Sequence, residues 1–297
     1  MKNLFNYFKH AKHLKALKIP KLWRQTEGEG VTVLVTGSGF GSWDEANEIF
    51  TPHIYSGDVE NCPPAVTVWD TFDHRGHEAP AISLINGQQK GSKWVGIAPK
   101  AKVYAMKTQD FKRHPVTAND IDPYAVIGLQ KCLDWYHTNP FDILNCSWNV
   151  NEPQELGIKL IKELAELGVI IVISANNWGQ DNPQPYAHLK DYVISVGATD
   201  YRGNVVPWSN RNCDFYVPGE SIVAHSWQDP SQYSYVGGTS FSAPILSGLI
   251  ALLINKDRKM FDVFNGLEKL DLIKLRLKKY FNHIDWVVKD NGVRGHI

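Results

Sequence analysis

The sequence predicts an α/β protein in which a central, mostly parallel β-sheet is covered by helices on both faces. Short β-branched apolar runs recur at residues 31–35, 102–106, 142–146, 169–173 and 192–196, and runs of that length are strands rather than helices. Between them lie longer stretches whose apolar residues repeat at helical spacing. With 297 residues, 43% of them hydrophobic, the chain can bury one large core, and no linker-like segment divides it. Strand and helix alternating in this way place ligands at the carboxyl ends of the strands.

Taken in order, the elements begin with a basic leader over residues 1–24, followed by a single domain over residues 25–297. The leader carries Lys2, Lys9, Lys12, Lys15, Lys18, Lys21 and Arg24 with no acid, interleaved with Leu4, Phe5, Phe8, Leu14 and Leu17. Such a helix can touch a membrane or nucleic acid, but packing by its apolar side is the commoner use. Val126, Leu129, Leu133 and Tyr136 form one helical stripe; Leu156, Leu160, Leu164 and Leu167 form another, which Gly168 closes. The run Val169–Ile173 that follows reads as a buried central strand. Near the end, Leu270, Ile273, Leu277 and Phe281 predict a packed helix with a basic outer face.

The 31 basic residues balance the 31 acidic ones, so no overall field for nucleic acid or a membrane surface is implied. No apolar run at the amino terminus has the length of a signal peptide, and no transmembrane segment is expected. Cys62, Cys132, Cys146 and Cys213 show no paired spacing. Free thiols in a reducing, cytoplasmic setting follow as the expectation.

Chemistry enters at Gly238-Thr239-Ser240-Phe241-Ser242-Ala243-Pro244, which runs directly into the apolar stretch Ile245–Ile254. A serine at the mouth of a buried helix is well placed as a nucleophile, although the same residues also make an ordinary helix start. The segment resembles the serine motif of the subtilisin-like proteases (peptidase S8, the subtilases). Asp73-His74-Arg75-Gly76-His77, followed by Gly96-Ile97-Ala98-Pro99, resembles their histidine motif. Ser174-Ala175-Asn176-Asn177-Trp178-Gly179 resembles the strand end that supplies their oxyanion asparagine, and Asn145-Cys146-Ser147-Trp148-Asn149 the segment that pairs with substrate. Similarity runs from about Ile19 to the carboxyl terminus, and the layout is closest to the intracellular subtilisins. The resemblance implies the three-layer subtilisin-like fold, Ser240 as nucleophile, His77 as general base, Asn177 as oxyanion donor, and Ser147, Trp148, Asn149, Ala175 and Asn176 as substrate-binding residues. It also implies a polypeptide substrate or peptide ligand. No cofactor and no metal is inferred: Lys90 stands where some relatives place a calcium ligand, and a His74/His77 metal pair lacks further nearby ligands.

The pattern fails at the third catalytic member. The family's acid ends the first strand, where this chain has Val33-Leu34-Val35-Thr36-Gly37. Glu78 and Ala79 replace the Gly-Thr that usually follows the histidine, and Asn149 and Asn176 replace cleft glycines; these side chains are expected to narrow the cleft. Asp44, Glu45 and Asp70 are the substitutes considered for the missing acid. Gly37-x-Gly39-x-Gly41 also imitates a dinucleotide fingerprint, without its final glycine. Two functions follow: a serine endopeptidase slowed by loss of the triad acid, or a pseudoprotease that binds a peptide or partner protein without cutting it. On sequence alone, Gly37→Asp reads as the repair.

Overall fold

A computed structural model describes residues 11–38, 52–55, 76–87, 96–108, 118–226 and 233–290. Seven strands form the central sheet: β1 Thr32–Gly37, β2 Pro52–Tyr55, β3 Lys102–Lys107, β4 Ile143–Cys146, β5 Ile170–Ser174, β6 Val193–Thr199 and β7 Phe215–Pro218. Their order is β2-β3-β1-β4-β5-β6-β7, and each neighbouring pair is parallel. An antiparallel hairpin of β8 Ile222–His225 and β9 Tyr233–Val236 lies outside it. The helices are α1 Lys12–Ala16, α2 Ile19–Leu22, α3 Glu78–Asn86, α4 Ala118–Tyr136, α5 Glu155–Glu166, α6 Thr239–Lys256, α7 Arg258–Phe261 and α8 Leu267–His283.

Alternation along the strands explains the two-sided cover. Val33 and Val35 join one core cluster while Leu34 between them joins the other; Ile170 and Val172 likewise oppose Ile171 and Ile173. Successive strand side chains point to opposite faces, so a strand covered on both sides has to be apolar throughout. One cluster holds α3, α6 and α8, and the other α4 and α5. Helix α6 alone is long and apolar enough among the described residues to cross a membrane, yet 89% of it is buried against the sheet. It is the core helix of the fold.

Two readings change in detail. The stripe through α5 is not Leu156 to Leu167: these two are 50% and 38% exposed, and the buried face runs through Gly157, Leu160, Ile161, Leu164 and Ala165. That path follows the 3.6-residue repeat on a face rotated from the leucines. Strand β2 was not anticipated, because its apolar content is slight and it opens on Pro52, which only a strand start or edge accepts.

The leader enters the fold from residue 11. Ala11, Leu14, Leu17, Ile19 and Leu22 belong to the core cluster that contains α6, whereas Lys12, Lys15, Lys18 and Lys21 are exposed. Tyr280 Oη in α8 donates to the Leu17 carbonyl at 2.6 Å. His13 is buried with them, and burial pulls its pKa from 6.5 down to about 3. The unfolded chain takes up this proton as pH falls through 6.5 while the folded chain refuses it, so the fold's full stability is present above 6.5 and is lost towards 3. At about pH 5 the loss from this residue is about 2 kcal/mol. Urea unfolding of the Ser240→Ala protein at about pH 7.5 and about pH 5 is expected to show it, and His13→Gln removes that part of the difference.

Candidate active site

Ser240 stands in the first turn of α6. The chain enters that turn through Gly238 at φ +148°, a conformation that glycine adopts without a Cβ penalty. A Cβ on Gly238 would lie 2.9 Å from Ser240 Oγ, so the residue two before Ser240 has to be bare. The hydroxyl therefore sits at the positive end of an 18-residue helix, where developing negative charge is favoured. Pro244 lies inside the same helix and has no N–H for the carbonyl four residues back. That carbonyl belongs to Ser240, and Ser147 Oγ donates to it instead at 2.7 Å. Asn145 Nδ2 in turn donates to Ser147 Oγ at 2.9 Å, so Ser147 holds the backbone of Ser240.

His77 immediately precedes α3. Its Nε2 is 2.9 Å from Ser240 Oγ, and its Nδ1 is 2.8 Å from Glu78 Oε1. The ring also rests against Phe241, with centroids 5.1 Å apart. Glu78 opens α3, and its side chain is only 4% exposed. A carboxylate accepts but cannot donate, so this pairing puts the ring proton on Nδ1 and leaves Nε2 as an acceptor facing Ser240 Oγ. The helix start favours the negative charge.

Gly37 closes β1 beside this carboxylate. A Cβ on Gly37 would stand 2.2 Å from Glu78 Cδ, 2.2 Å from Oε1 and 2.5 Å from Cγ. No side chain fits there while Glu78 holds His77.

Asn177 lines the same cleft as Ser240. Its Oδ1 accepts from Thr239 N at 2.8 Å and from Thr239 Oγ1 at 3.0 Å. With the carbonyl end taken, Nδ2 is the end left to donate. Asn176 holds φ +90°, where asparagine is one of the few tolerated non-glycine residues, and its Oδ1 accepts from Asn177 N at 2.7 Å. Asn177, His77 and Ser240 line one cleft with Ser147, Trp148, Asn149 and Asn176, and the space enclosed is about 80 Å³. Ala175 lies behind it. It is wholly buried, its N–H donates to Val196 O and its carbonyl accepts from Gln184 N, so its one backbone donor is already taken. The Trp148 carbonyl is also engaged, by Ser174 Oγ and Gln184 Nε2.

The model of the S8 peptidases, described as the subtilase family, matches residues 29–266. The chain belongs to the subtilase family. Membership places it among serine peptidases. It is 24% identical over 237 residues to subtilisin BL of Lederbergia lenta, covering 79% of this chain and 80% of that protein. It is 25% identical over 242 residues to an intracellular serine protease of Paenibacillus polymyxa, covering 79% and 69%. The minor extracellular protease Epr of Bacillus subtilis (strain 168) is 27% identical over 188 residues, which is 62% of this chain but only 27% of Epr. Among solved structures, the prenylagaramide maturation protease PagA aligns with TM-score 0.60 at 24% identity, over 82% of this chain and 81% of that one. This likeness bears on the fold, and the parallel sheet with helices on both faces is that of a subtilase.

For this subtilase the structure brings Ser240, His77 and Asn177 together and adds Glu78, which the sequence reading treated as an obstruction. Asp44, Glu45, Asp70 and His74 lie outside the described residues, as do Lys90, Gly39 and Gly41. Among the described residues no group of three or more His, Cys, Asp or Glu side chains is placed to hold a metal ion.

Proposed function

We propose that the chain is a serine endopeptidase that works through an acyl-enzyme on Ser240, with His77 as general base and Asn177 as oxyanion donor. The observation that carries this reading is the 2.9 Å contact between His77 Nε2 and Ser240 Oγ, within the reach a general base needs. Ser240 Oγ attacks the peptide carbonyl carbon, its proton passes to Nε2, and the carbonyl electron pair moves onto oxygen. Asn177 Nδ2 and the backbone N–H of Ser240, the second residue of α6 and so too early in the helix for a carbonyl four residues back within it, are the donors suited to that oxyanion. The C–N bond then breaks as Nε2 returns the proton to the leaving amine, and water repeats the sequence to free the enzyme.

We place this activity on polypeptides in a reducing, intracellular compartment. Cys132 and Cys146 are free and wholly buried, and burial pushes the Cys146 thiol up to about 12. The likeness to an intracellular serine protease agrees with this placing.

A fluorophosphonate probe tests the reading. Labelling of the purified chain is expected, and it disappears in Ser240→Ala. Labelling that is absent, or that survives the substitution, overturns it. The narrow cleft beside Asn149 and Asn176 favours a second reading, a pseudoprotease that holds a peptide or partner protein uncut; peptide binding without labelling is the result that selects it.

A further inference from the structure

We propose that Glu78, the chain neighbour of the base, is the positioning carboxylate of this site and performs the task that the family pattern gives to an acid at the end of the first strand. The inference rests on the serine-peptidase reading above. Two independent observations carry it. Glu78 Oε1 lies 2.8 Å from His77 Nδ1 while Nε2 of the same ring faces Ser240, so the carboxylate is on the side of the imidazole that fixes its tautomer and balances its charge once the serine proton arrives. Secondly, the carboxyl group fills the volume into which a side chain at Gly37 would project, as the 2.2 Å approach of a Cβ there to Cδ and Oε1 shows. The two departures from the family pattern, at residues 37 and 78, are thus one exchange. The acid enters the same space from the opposite wall.

Burial makes the carboxylate effective. At 4% exposure it is shielded from water, so its pull on the imidazolium is weakened little by solvent. Adjacent helical residues normally diverge. Here His77 stands just before α3 at φ −104° and ψ −47°, and Glu78 is the first helical residue; the bare glycine opposite lets the glutamate fold back over the ring.

The test begins with Ser240-dependent turnover of a fluorogenic peptide by the unaltered chain, which addresses the parent reading separately. Glu78→Gln keeps the shape of the side chain, and it is expected to lower kcat by about 10⁴-fold with KM changed less than about threefold, the magnitude known for loss of a triad acid. Glu78→Gly falls at least as far, and Gly37→Asp with Glu78→Gly regains about 10²-fold or more over Glu78→Gly alone. A downfield proton resonance from the His77 Nδ1–H is expected in the Ser240→Ala protein and is absent once Glu78→Gln is added, a readout that needs no activity. A Glu78→Gln enzyme whose kcat stays within about tenfold of the original, or a resonance indifferent to residue 78, overturns the proposal.

Discussion

His77→Ala is expected to lower kcat by about 10⁶-fold, the magnitude that loss of the base has in subtilisin, a relative. The substitution removes the acceptor 2.9 Å from Ser240 Oγ, and a serine hydroxyl without a base is a weak nucleophile at neutral pH. His77→Ala combined with Ser240→Ala should be no slower than either alone, because the two residues act as one unit. Residual turnover above the uncatalysed rate belongs to Asn177 and the start of α6. Stability is expected to change by about 1–3 kcal/mol, since Glu78, buried at 4% exposure, loses a hydrogen-bond partner and Phe241 loses a ring contact. Single-turnover kinetics and urea unfolding separate the two effects.

Gly37→Asp, the repair that the sequence pattern suggests, should damage the protein. The new Cβ would meet Glu78 at 2.2 Å from Cδ and 2.5 Å from Cγ, so the glutamate has to leave His77 and find another rotamer in a filled interior. Overpacking of this kind costs about 1–3 kcal/mol. Two carboxylates in one buried space also cannot both remain ionised. The expected result is a lowered unfolding midpoint and a kcat/KM no higher than that of the unaltered chain. Adding Glu78→Gly should then raise both, so that the second substitution harms the original chain and rescues the first variant. Equal kcat/KM in the presence and absence of Asp at residue 37 would show that the two side chains do not compete.

Much of this architecture was legible because it depends on local pattern. Val33, Leu34 and Val35 announce a strand buried on both faces; Ile245–Ile254 announces a buried helix, and both are found. Leu156 and Leu167 misled because leucines were counted at nearly helical spacing, whereas Gly157 and Ala165, small residues with little apolar signal, mark the true buried face. Ser147, expected to bind substrate, lines the cleft, and its hydroxyl also supports the Ser240 carbonyl that Pro244 leaves without an N–H; both residues are visible in the sequence, but their meeting is not. Glu78 was the hardest to read. Its departure from the family pattern is visible, but residue type alone offers Asp44, Glu45 and Asp70 as substitutes for the missing acid. Whether a side chain folds back over its neighbour depends on what stands opposite, and Gly37 is 41 residues away in the chain.

Because His77 and Glu78 are consecutive residues, their mutual alignment is set locally, by their own side-chain torsions and the ψ and φ angles between them. A triad spread over three distant segments must keep three bodies in register through the whole fold, whereas here base and carboxylate move together with the start of α3. Only one long-range adjustment remains, that between α3 and α6. The carboxyl end of β1 is thereby released from any duty of orientation toward the ring, and its one requirement at residue 37 is to stay out of the way.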